Sequence, residues 1–400
     1  MFEYLVFIFI GIFFGIFAGL IPGIHPNTIA IIFSSLFLKI FPDYISFICF
    51  IVSLGICNSF VSAISSILFG APDSEDSLAV LPGHRLLIKG FGYFAIKLTV
   101  IGSLFGFLFS LFCFPIFYYF IPMIYNRVSS QMHLFLLIIV ALLILTEKGM
   151  KNKILATFVF LISGILGIVG NSLPISQNYY LFCLLTGLFG MPVLFLSIKN
   201  NTKIPEQKFR DRKISLKSIN RAIVSGAFAG TLTGIFPGVS ASHATIISNL
   251  TNKSNERFLI SLGAATTTNI LFSFISLFLI GKGRSGLAVI IKNFVDVGLN
   301  EFLLMIIISI ISAGIASLAT LKISKILIKQ IEKINYNLLN KGILLFLFFL
   351  VFLFAGFWGI LLSVISLSLG IFVNMNKIKR THMMGSIMLP VILFYMQRNI

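Results

Sequence analysis

The sequence predicts an all-α integral membrane protein of about ten transmembrane helices with re-entrant hairpins, built from two similar halves. Of its 400 residues, 58% are hydrophobic and 10% are charged, and the mean hydropathy is +1.05. Soluble domains carry about 25% charged residues, so this composition excludes a soluble protein. Apolar runs of about twenty residues, the length of a membrane-spanning helix, recur along the chain. A stretch that occurs twice predicts the two halves.

The apolar runs place the spans. Residues 2–21 form the first span, which we expect to be retained, since no basic region precedes it and no small-residue cleavage site follows. Residues 28–41 are apolar but short, which favours a half-span or a tilted helix. The further predicted spans are 45–69, 88–120, 134–145, 154–169, 180–198, 222–236, 258–280, 287–295, 302–321, 343–373 and a last segment ending near Tyr395.

The repeated stretch begins at Gly11 and returns, without a gap, at Gly226. Glycines every fourth residue form a smooth stripe along a helix, which predicts the close approach of a second helix. Pro-Gly then ends the helix in both halves, and a short polar segment follows. The residues of the first half that find an identical residue in the second are Gly11, Phe13, Gly15, Gly19, Pro22 and Gly23.

A helix that breaks inside the bilayer requires protein or a water-filled cavity around its freed backbone groups. Breaks at matching positions of two halves are typical of the substrate site of secondary transporters. We therefore expect Pro22 and Pro237 to open two hairpins whose polar tips meet near the bilayer midplane. The predicted substrate-binding residues of these tips are Gly23, His25, Asn27, Gly238, Ser240, Ser242 and His243.

The chain divides at its most basic segment. Residues 1–198 form the first membrane repeat and residues 222–400 the second, and residues 199–221 between them hold five lysines and three arginines against two acids. Basic loops of membrane proteins face the cytoplasm, so we expect residues 199–221 to form a cytoplasmic linker. We expect the chain itself to lie in the plasma membrane. The same rule accounts for the net charge of +18 without a nucleic-acid partner.

A second repeated block lies at an offset of 193 residues. Gly70-Ala71 then matches Gly263-Ala264, and Asp76 matches Asn269. An odd number of spans in each half would invert the two repeats, and we expect this arrangement. The basic stretches 148–153 and 322–341 lie at roughly corresponding places, however, which leaves a parallel arrangement open.

Three acids follow the third predicted helix: Asp73, Glu75 and Asp76. Three acids at the bilayer centre would cost on the order of 9 kcal/mol, so they must face water, a cation or a protonation equilibrium. One interpretation is a plain loop outside the membrane. The other is a re-entrant hairpin that binds the coupling ion, and the helix-breaking residues Pro72, Pro82 and Gly83 favour it.

Other polar residues also allow two interpretations. Arg85 is either an interfacial anchor with His84 or an anion clamp, since its guanidinium fork matches a carboxylate or a phosphate. His25 and His243 are either hydrogen-bonded interior residues or members of a proton relay. Thr266 to Asn269 provide oxygens at an expected break. Of these we assign Thr267 to the substrate and Thr268 and Asn269 to the coupling ion, and ordinary helix–helix hydrogen bonds are the alternative.

These motifs resemble the TctA family, the large permease subunit of tripartite tricarboxylate transporters, most closely its archaeal-type branch. The most specific matches are 19–27, 70–92, 234–240 and the tail 380–385 with Pro390. The resemblance implies a duplicated permease for a small carboxylate, moved with protons or sodium. The acids at 73, 75 and 76 replace a neutral small-residue run of the receptor-dependent members, which weakens the transfer of a tricarboxylate substrate.

A looser resemblance supplies the alternative function. Pro237-Gly238-Val239-Ser240 is similar to the proline-glycine motif of polyprenyl-phosphate translocases, which implies a lipid-linked phosphate as substrate. Neither a metal constellation, a nucleophile elbow nor a phosphate loop is present, so we expect no enzyme, metal or cofactor. The four cysteines lie singly in apolar runs and are expected to be structural. The expected partners are the anion, a proton or sodium, membrane lipid and, as an open alternative, a second copy of the chain.

Overall fold

The computed structural model describes residues 2–21, 26–68, 80–128, 131–145, 147, 149–199, 205–235, 245, 254–331 and 335–397. In this part of the chain all regular secondary structure is helical. The helices of the first half are α1 (Phe2–Leu20), α2 (Pro26–Ser35), α3 (Phe37–Ile40), α4 (Tyr44–Leu68), α5 (Val80–Ile88), α6 (Gly92–Phe112), α7 (Phe114–Val128), α8 (Met132–Leu145), α9 (Met150–Ser172), α10 (Gln177–Leu185) and α11 (Met191–Lys199). A π-helical turn, Thr186–Gly190, joins α10 to α11.

The described helices of the second half are α12 (Leu216–Ile235), α13 (Asn255–Ile280), α14 (Gly286–Lys292), α15 (Leu299–Ile331), α16 (Tyr336–Met375) and α17 (Gly385–Gln397). A 3-10 turn, Arg380–Met384, precedes α17. Helix α16 bends at Gly356, whose φ of 58° suits a residue without a side chain.

The predicted all-α multi-pass fold is confirmed. Within the described residues, eight helical segments are long and apolar enough to cross a membrane, and nine if the bent pair α7–α8 is one span. The apolar stretch 88–120 is divided into α6 and α7 at Cys113, and the basic stretch after Leu321 continues α15 to Ile331. The first helix and the long span α4 lie where the sequence places them. Of the segment predicted as a linker, residues 205–215 are extended, and α12 already begins at Leu216.

The described helices pack as two bundles. Helices α1–α7 and α12–α15 surround the larger core, and α9–α11 with α16 surround the smaller one. Helices α8 and α17 pack on α9, and their residues Leu136 and Met388 also reach the larger core. Each bundle thus contains helices from both predicted repeats.

Helices α1 to α3 form a helical hairpin whose two ends lie together. The ring centroids of Phe14 and Phe33 are 4.9 Å apart, and those of Phe7 and Phe41 are 5.2 Å apart. At the open end, the Tyr4 hydroxyl donates to Asp43 Oδ2 over 2.9 Å. The chain therefore runs to the tip and back. The re-entrant position of this hairpin in a bilayer stays a prediction.

The glycine stripes pack as the sequence predicts. A methyl group on Gly15 would lie 2.8 Å from Cys57 Cβ of α4, and one on Gly230 would lie 2.7 Å from Thr268 Cβ of α13. Gly19 meets Val61 in the same way as Gly234 meets Phe272. The contacted positions are 211 residues apart in every case: Ser53 and Ala264, Cys57 and Thr268, Val61 and Phe272. Helices α1 and α4 therefore pack in the same register as α12 and α13.

Helices α4 and α13 cross in opposite directions. Ser59 of α4 contacts Thr267, whereas Gly55, one turn earlier, faces Ile270 and Phe274. Helix α6, by contrast, runs parallel to α13, since Gly102 faces Ile260 and Gly106 faces Ala264. Within the larger bundle, the pair α1 and α4 therefore runs in the opposite direction to the pair α12 and α13.

Two expectations differ from the structure. Thr266 to Asn269 do not break the chain, because they lie in the middle of the continuous helix α13. A helix accommodates such residues because a threonine hydroxyl can donate to a carbonyl one turn earlier, as Thr266 does to Leu262. Pro82 and Gly83 lie in the first turn of α5 and so begin a helix, where a missing backbone N–H is harmless. The packing register of 211 residues pairs Asn269 with Asn58, whereas the sequence match at an offset of 193 pairs it with Asp76, which lies outside the described residues.

Candidate functional site

A polar belt crosses the middle of the larger bundle. It consists of Asn58, Ser59, Ser110, Thr267 and Thr268, which are all buried among apolar neighbours. Ser59 Oγ donates to Thr267 Oγ1 over 3.4 Å, and the hydroxyls of Ser110 and Thr268 are 3.1 Å apart. The belt joins α4, α6 and α13 through hydroxyl groups, because these three helices approach closely at their small residues.

Asn58 has an unsatisfied acceptor in this belt. The residue is 6% exposed, and its Oδ1 has no hydrogen-bond partner among the described residues. A buried amide oxygen without a donor is unfavourable, so a proton donor or a cation at this point would stabilise it. Oxygen ligands of this kind suit a hard cation such as sodium.

The segment between α13 and α14 folds back along α13. Ser285 N donates to Ser273 Oγ over 2.6 Å, and Ser276 Oγ donates to the Lys282 carbonyl over 3.3 Å. Helix α14 therefore begins beside Ser273, about two turns before the end of α13. Leu287 then packs on Gly55 of α4, close to the polar belt.

The start of α14 meets the start of α2. A methyl group on Gly286 would lie 2.5 Å from Asn27 Nδ2, so the two residues are in close contact and the Asn27 side chain would have to shift for any larger residue. Asn27 follows the predicted Pro-Gly break of the first half. The contact therefore brings the first-half hairpin against the segment that folds back in the second half.

Two cations of this segment lie against Tyr125 of α7. Lys282 Nζ donates to the Tyr125 hydroxyl over 3.1 Å, and Arg284 Cζ lies 4.9 Å from the ring centroid. Both positions allow cation–π attraction. Among the described residues, Arg284 Nε and Nη2 are nevertheless buried without a hydrogen-bond partner, and the ion pairs formed there include neither Arg284 nor Lys282.

This arrangement is suited to holding an anion. Two guanidinium nitrogens buried in this way are unfavourable until an acceptor approaches them, and the guanidinium fork matches a carboxylate or a phosphate. The N-terminus of α2, which starts at Pro26, lies at the same junction, and the positive end of its helix dipole favours an anion there. We call the group of Asn27, Tyr125, Lys282, Arg284 and Gly286 the junction site.

The predicted site residues are only partly described. Asn27 lies in the junction site, Thr267 and Thr268 lie in the polar belt, and Asn269 follows them on α13. Arg85 is on the exposed face of α5, where a clamp for a buried anion is not expected. The predicted residues outside the described ones are Pro22, Gly23, His25, Pro72, Asp73, Glu75, Asp76, Pro237, Gly238, Ser240, Ser242 and His243.

The sequence reasoning missed Tyr125, Lys282 and Arg284. A signal was present, because Gly281 to Gly286 place two cations and three glycines directly after a long apolar span. At the register of 211 residues, Gly281 corresponds to Gly70 and Arg284 to Asp73.

The helices, their spans and their oppositely directed glycine-striped pairs define a multi-pass α-helical membrane protein. The model of the tripartite tricarboxylate transporter TctA family matches residues 5–385, and the chain belongs to this family. It is therefore a component of a transporter. A relative, the uncharacterized protein MJ1079 of Methanocaldococcus jannaschii, is 28% identical over 98% of this chain and 99% of its own length. No solved structure matches the chain.

Proposed function

We propose that the chain is a secondary active permease of the plasma membrane that moves a small organic anion, a carboxylate, together with protons or sodium. Membership of a transporter family supports the transport class. The opposite directions of α4 and α13 support two inverted repeats, 1–198 and 222–400, on either side of the linker. Inverted repeats with broken helices are the usual frame of a secondary transporter.

The observation that carries the proposal is the junction site. Arg284 Nε and Nη2 are buried without a hydrogen-bond partner among the described residues, and Arg284 shares Tyr125 with Lys282 two residues before the contact of Gly286 with Asn27. Two positive charges without a described acid attract one anionic group. A carboxylate would satisfy both free nitrogens of Arg284, and the hydroxyl of Tyr125 would stay bound to Lys282.

The polar belt is the proposed site of the coupling cation. Asn58 Oδ1 and the hydroxyls of Ser59 and Thr267 provide oxygen ligands without a formal charge. Thr268 and Asn269 extend this set, and the acids Asp73, Glu75 and Asp76 stay the proposed proton or sodium ligands of the first-half segment. A cation bound in the polar belt would attract a nearby anion and make its binding more favourable. This attraction would couple the binding of the cation to that of the anion.

A lipid-linked phosphate is the second candidate substrate. Arg284 and Lys282 would bind a phosphate as readily as a carboxylate, because the oxygens of both anions accept hydrogen bonds from a guanidinium and an ammonium group. The motif at Pro237 to Ser240 favours this alternative. The two candidates differ in the apolar part of the ligand, which an experiment can separate.

Thermal unfolding of the purified full-length protein tests the proposal. A ligand that binds only the folded state raises the apparent Tm with its concentration. We expect citrate or succinate to stabilise the wild type, Arg284→Gln to remove this effect, and the exposed-lysine control Lys325→Gln to keep it. Stabilisation by a polyprenyl phosphate but not by citrate or succinate would favour the lipid-linked phosphate over the carboxylate as the substrate.

A further inference from the structure

A buried glutamine of the linker is bound to the corner between α5 and α6. Gln207 is 5% exposed. Its Oε1 accepts from the backbone N–H of Gly92, the first residue of α6, and its Nε2 donates to the Leu87 carbonyl in the last turn of α5, each over 2.9 Å. In the next residue, Lys208 N donates to the Gly90 carbonyl over 2.7 Å. Because the first N–H groups of a helix have no partner within the helix, Gln207 caps α6 while it holds the end of α5.

Two ion pairs extend these contacts of the linker to α13. Lys97 of α6 pairs with Asp211, and Arg212 Nη1 lies 3.0 Å from Oε1 of Glu256, in the first turn of α13. Both pairs are partly exposed, and ion pairs in contact with water contribute little by themselves. The buried side chain of Gln207 is therefore the contact on which the attachment of the linker depends.

Helix α5 lies across one end of the three helices that form the polar belt. It packs against α4, α6 and α13. Helix α4 ends there, with Ile67 against Gly83, whereas α6 and α13 begin there beside the linker. Leu86 and Leu87 on the buried face of α5 belong to the larger core. Ser59 of the polar belt lies eight residues before Ile67, about 12 Å along α4 at 1.5 Å per residue. Helix α5 thus lies between the polar belt and the linker.

We propose that α5 closes the polar belt on the linker side and that Gln207 is the positioning residue that holds α5 in place. The proposal rests on the proposed role of the polar belt as the cation site. Without the Gln207 side chain, water takes over the hydrogen bonds at the two helix ends, and the ion pairs alone hold the linker. Helix α5 then separates from α4 more readily, and water enters the bundle. Alternating access requires that one side be closed while the other is open.

A thiol placed between the linker and the polar belt tests the closure. Ser103 of α6 is 2% exposed, and its hydroxyl donates to a backbone carbonyl of α13, so Ser103→Cys introduces a small thiol between the two helices. The purified full-length protein, without its native cysteines, is treated with a charged methanethiosulfonate, which requires water at the thiol. We expect Gln207→Leu to raise the modification rate about tenfold or more, since two hydrogen bonds at helix ends are lost.

Gln330→Leu is the matched control. Gln330 is exposed on α15, two residues after Ile328, which lies near Gly92 at the same end of the bundle. This variant should leave the modification rate of the Ser103→Cys thiol unchanged, because the contacts of Gln207 stay intact.

Gln207→Glu provides a second variant of similar shape. Its protonated carboxyl group can accept from Gly92 N and donate to the Leu87 carbonyl, whereas the ionised group cannot donate. The apparent Tm of this variant should lie below that of the wild type at about pH 7.5, and the difference should shrink towards about pH 4.5, where a glutamic acid side chain becomes protonated.

The outcomes separate the closure from the proposed function. Equal modification rates with and without Gln207→Leu would overturn the closure, as would a Tm difference of Gln207→Glu that does not shrink on acidification. If citrate accumulation in proteoliposomes is nevertheless driven by the ion gradient, the proposed function stands without the closure. A raised modification rate in Gln207→Leu, in a protein whose wild type accumulates no citrate, would support the closure and contradict the proposed function.

Discussion

Ser59 of α4 and Thr267 of α13 are joined by a 3.4 Å hydrogen bond at the point where the two helices cross in opposite directions. The two residues lie near the middle of their helices, at the level of the unsatisfied Asn58 Oδ1. This crossing connects the two predicted repeats. It also gathers oxygen atoms in an apolar interior, where a bound cation would be strongly held.

The first prediction concerns Thr267. Thr267→Val keeps the shape of the side chain and removes one oxygen from the polar belt. We expect the concentration of sodium, or of protons, required for half-maximal citrate stabilisation to rise about tenfold, since one hydrogen-bonding group is worth about 1 kcal/mol or more in such a site. Thr320→Val is the control, because Thr320 is buried and its hydroxyl donates to the Ala316 carbonyl of the same helix. Equal ion dependence in the two variants would place the coupling ion elsewhere.

The second prediction concerns the close packing of helices in the larger bundle. A methyl group on Gly102 would lie 1.9 Å from the Ile260 carbonyl oxygen, so α6 and α13 must separate in Gly102→Ala. Overpacking of this kind costs about 1–3 kcal/mol of stability. Gly314→Ala on α15 is the control, since nothing lies within 4 Å of its added methyl group. Denaturant unfolding of both variants measures the difference, and a Gly102→Ala protein as stable as the control would contradict this packing.

The third prediction concerns pH. Burial lowers the pKa of His382 below its ordinary value of 6.5, although the hydrogen bond to Glu147 and the charge of that carboxylate raise it. The unfolded chain therefore binds a proton at a higher pH than the folded protein does. The stability that His382 contributes is complete above about pH 6.5 and is lost as the pH falls towards the folded-state pKa. The apparent Tm should fall on acidification, and less so in His382→Gln, which does not titrate. An equal fall in both proteins would assign the effect to other groups.

A fourth prediction tests the inversion of the repeats. Lys39 lies at the base of the first hairpin, and Lys217 lies at the start of α12, and both side chains are exposed. Helices α4 and α13 run in opposite directions, so these two bases should face opposite sides of the membrane. Single cysteines at 39 and 217, in a background without the native cysteines, should react with a membrane-impermeant thiol reagent from opposite sides. Reaction from the same side would mean parallel repeats.

The sequence predicted the parts of the fold that depend on local chemistry. Gly15 and Gly230 mark a helix contact because no other residue allows a backbone to approach so closely, and the apolar spans follow from the bilayer thickness. The contact between Ser59 and Thr267 could not be predicted, since it joins residues 208 positions apart through the packing of α4 against α13. The interpretation of Arg85 as an anion clamp depends on its guanidinium fork and on its place next to the acids. The buried nitrogens of Arg284 depend on the fold, and the sequence alone does not show them.

Uptake of citrate into proteoliposomes tests the central claim most directly. The reconstituted protein should accumulate labelled citrate above its external concentration when a sodium or proton gradient is imposed, and an ionophore that collapses the gradient should abolish the accumulation. Arg284→Gln should lose uptake by a factor of about ten or more, as the loss of a buried charged contact implies, while Lys325→Gln transports normally. Citrate or succinate uptake that never exceeds equilibration, or that is the same in Arg284→Gln and wild type, would contradict an ion-coupled carboxylate permease with its anion site at Arg284.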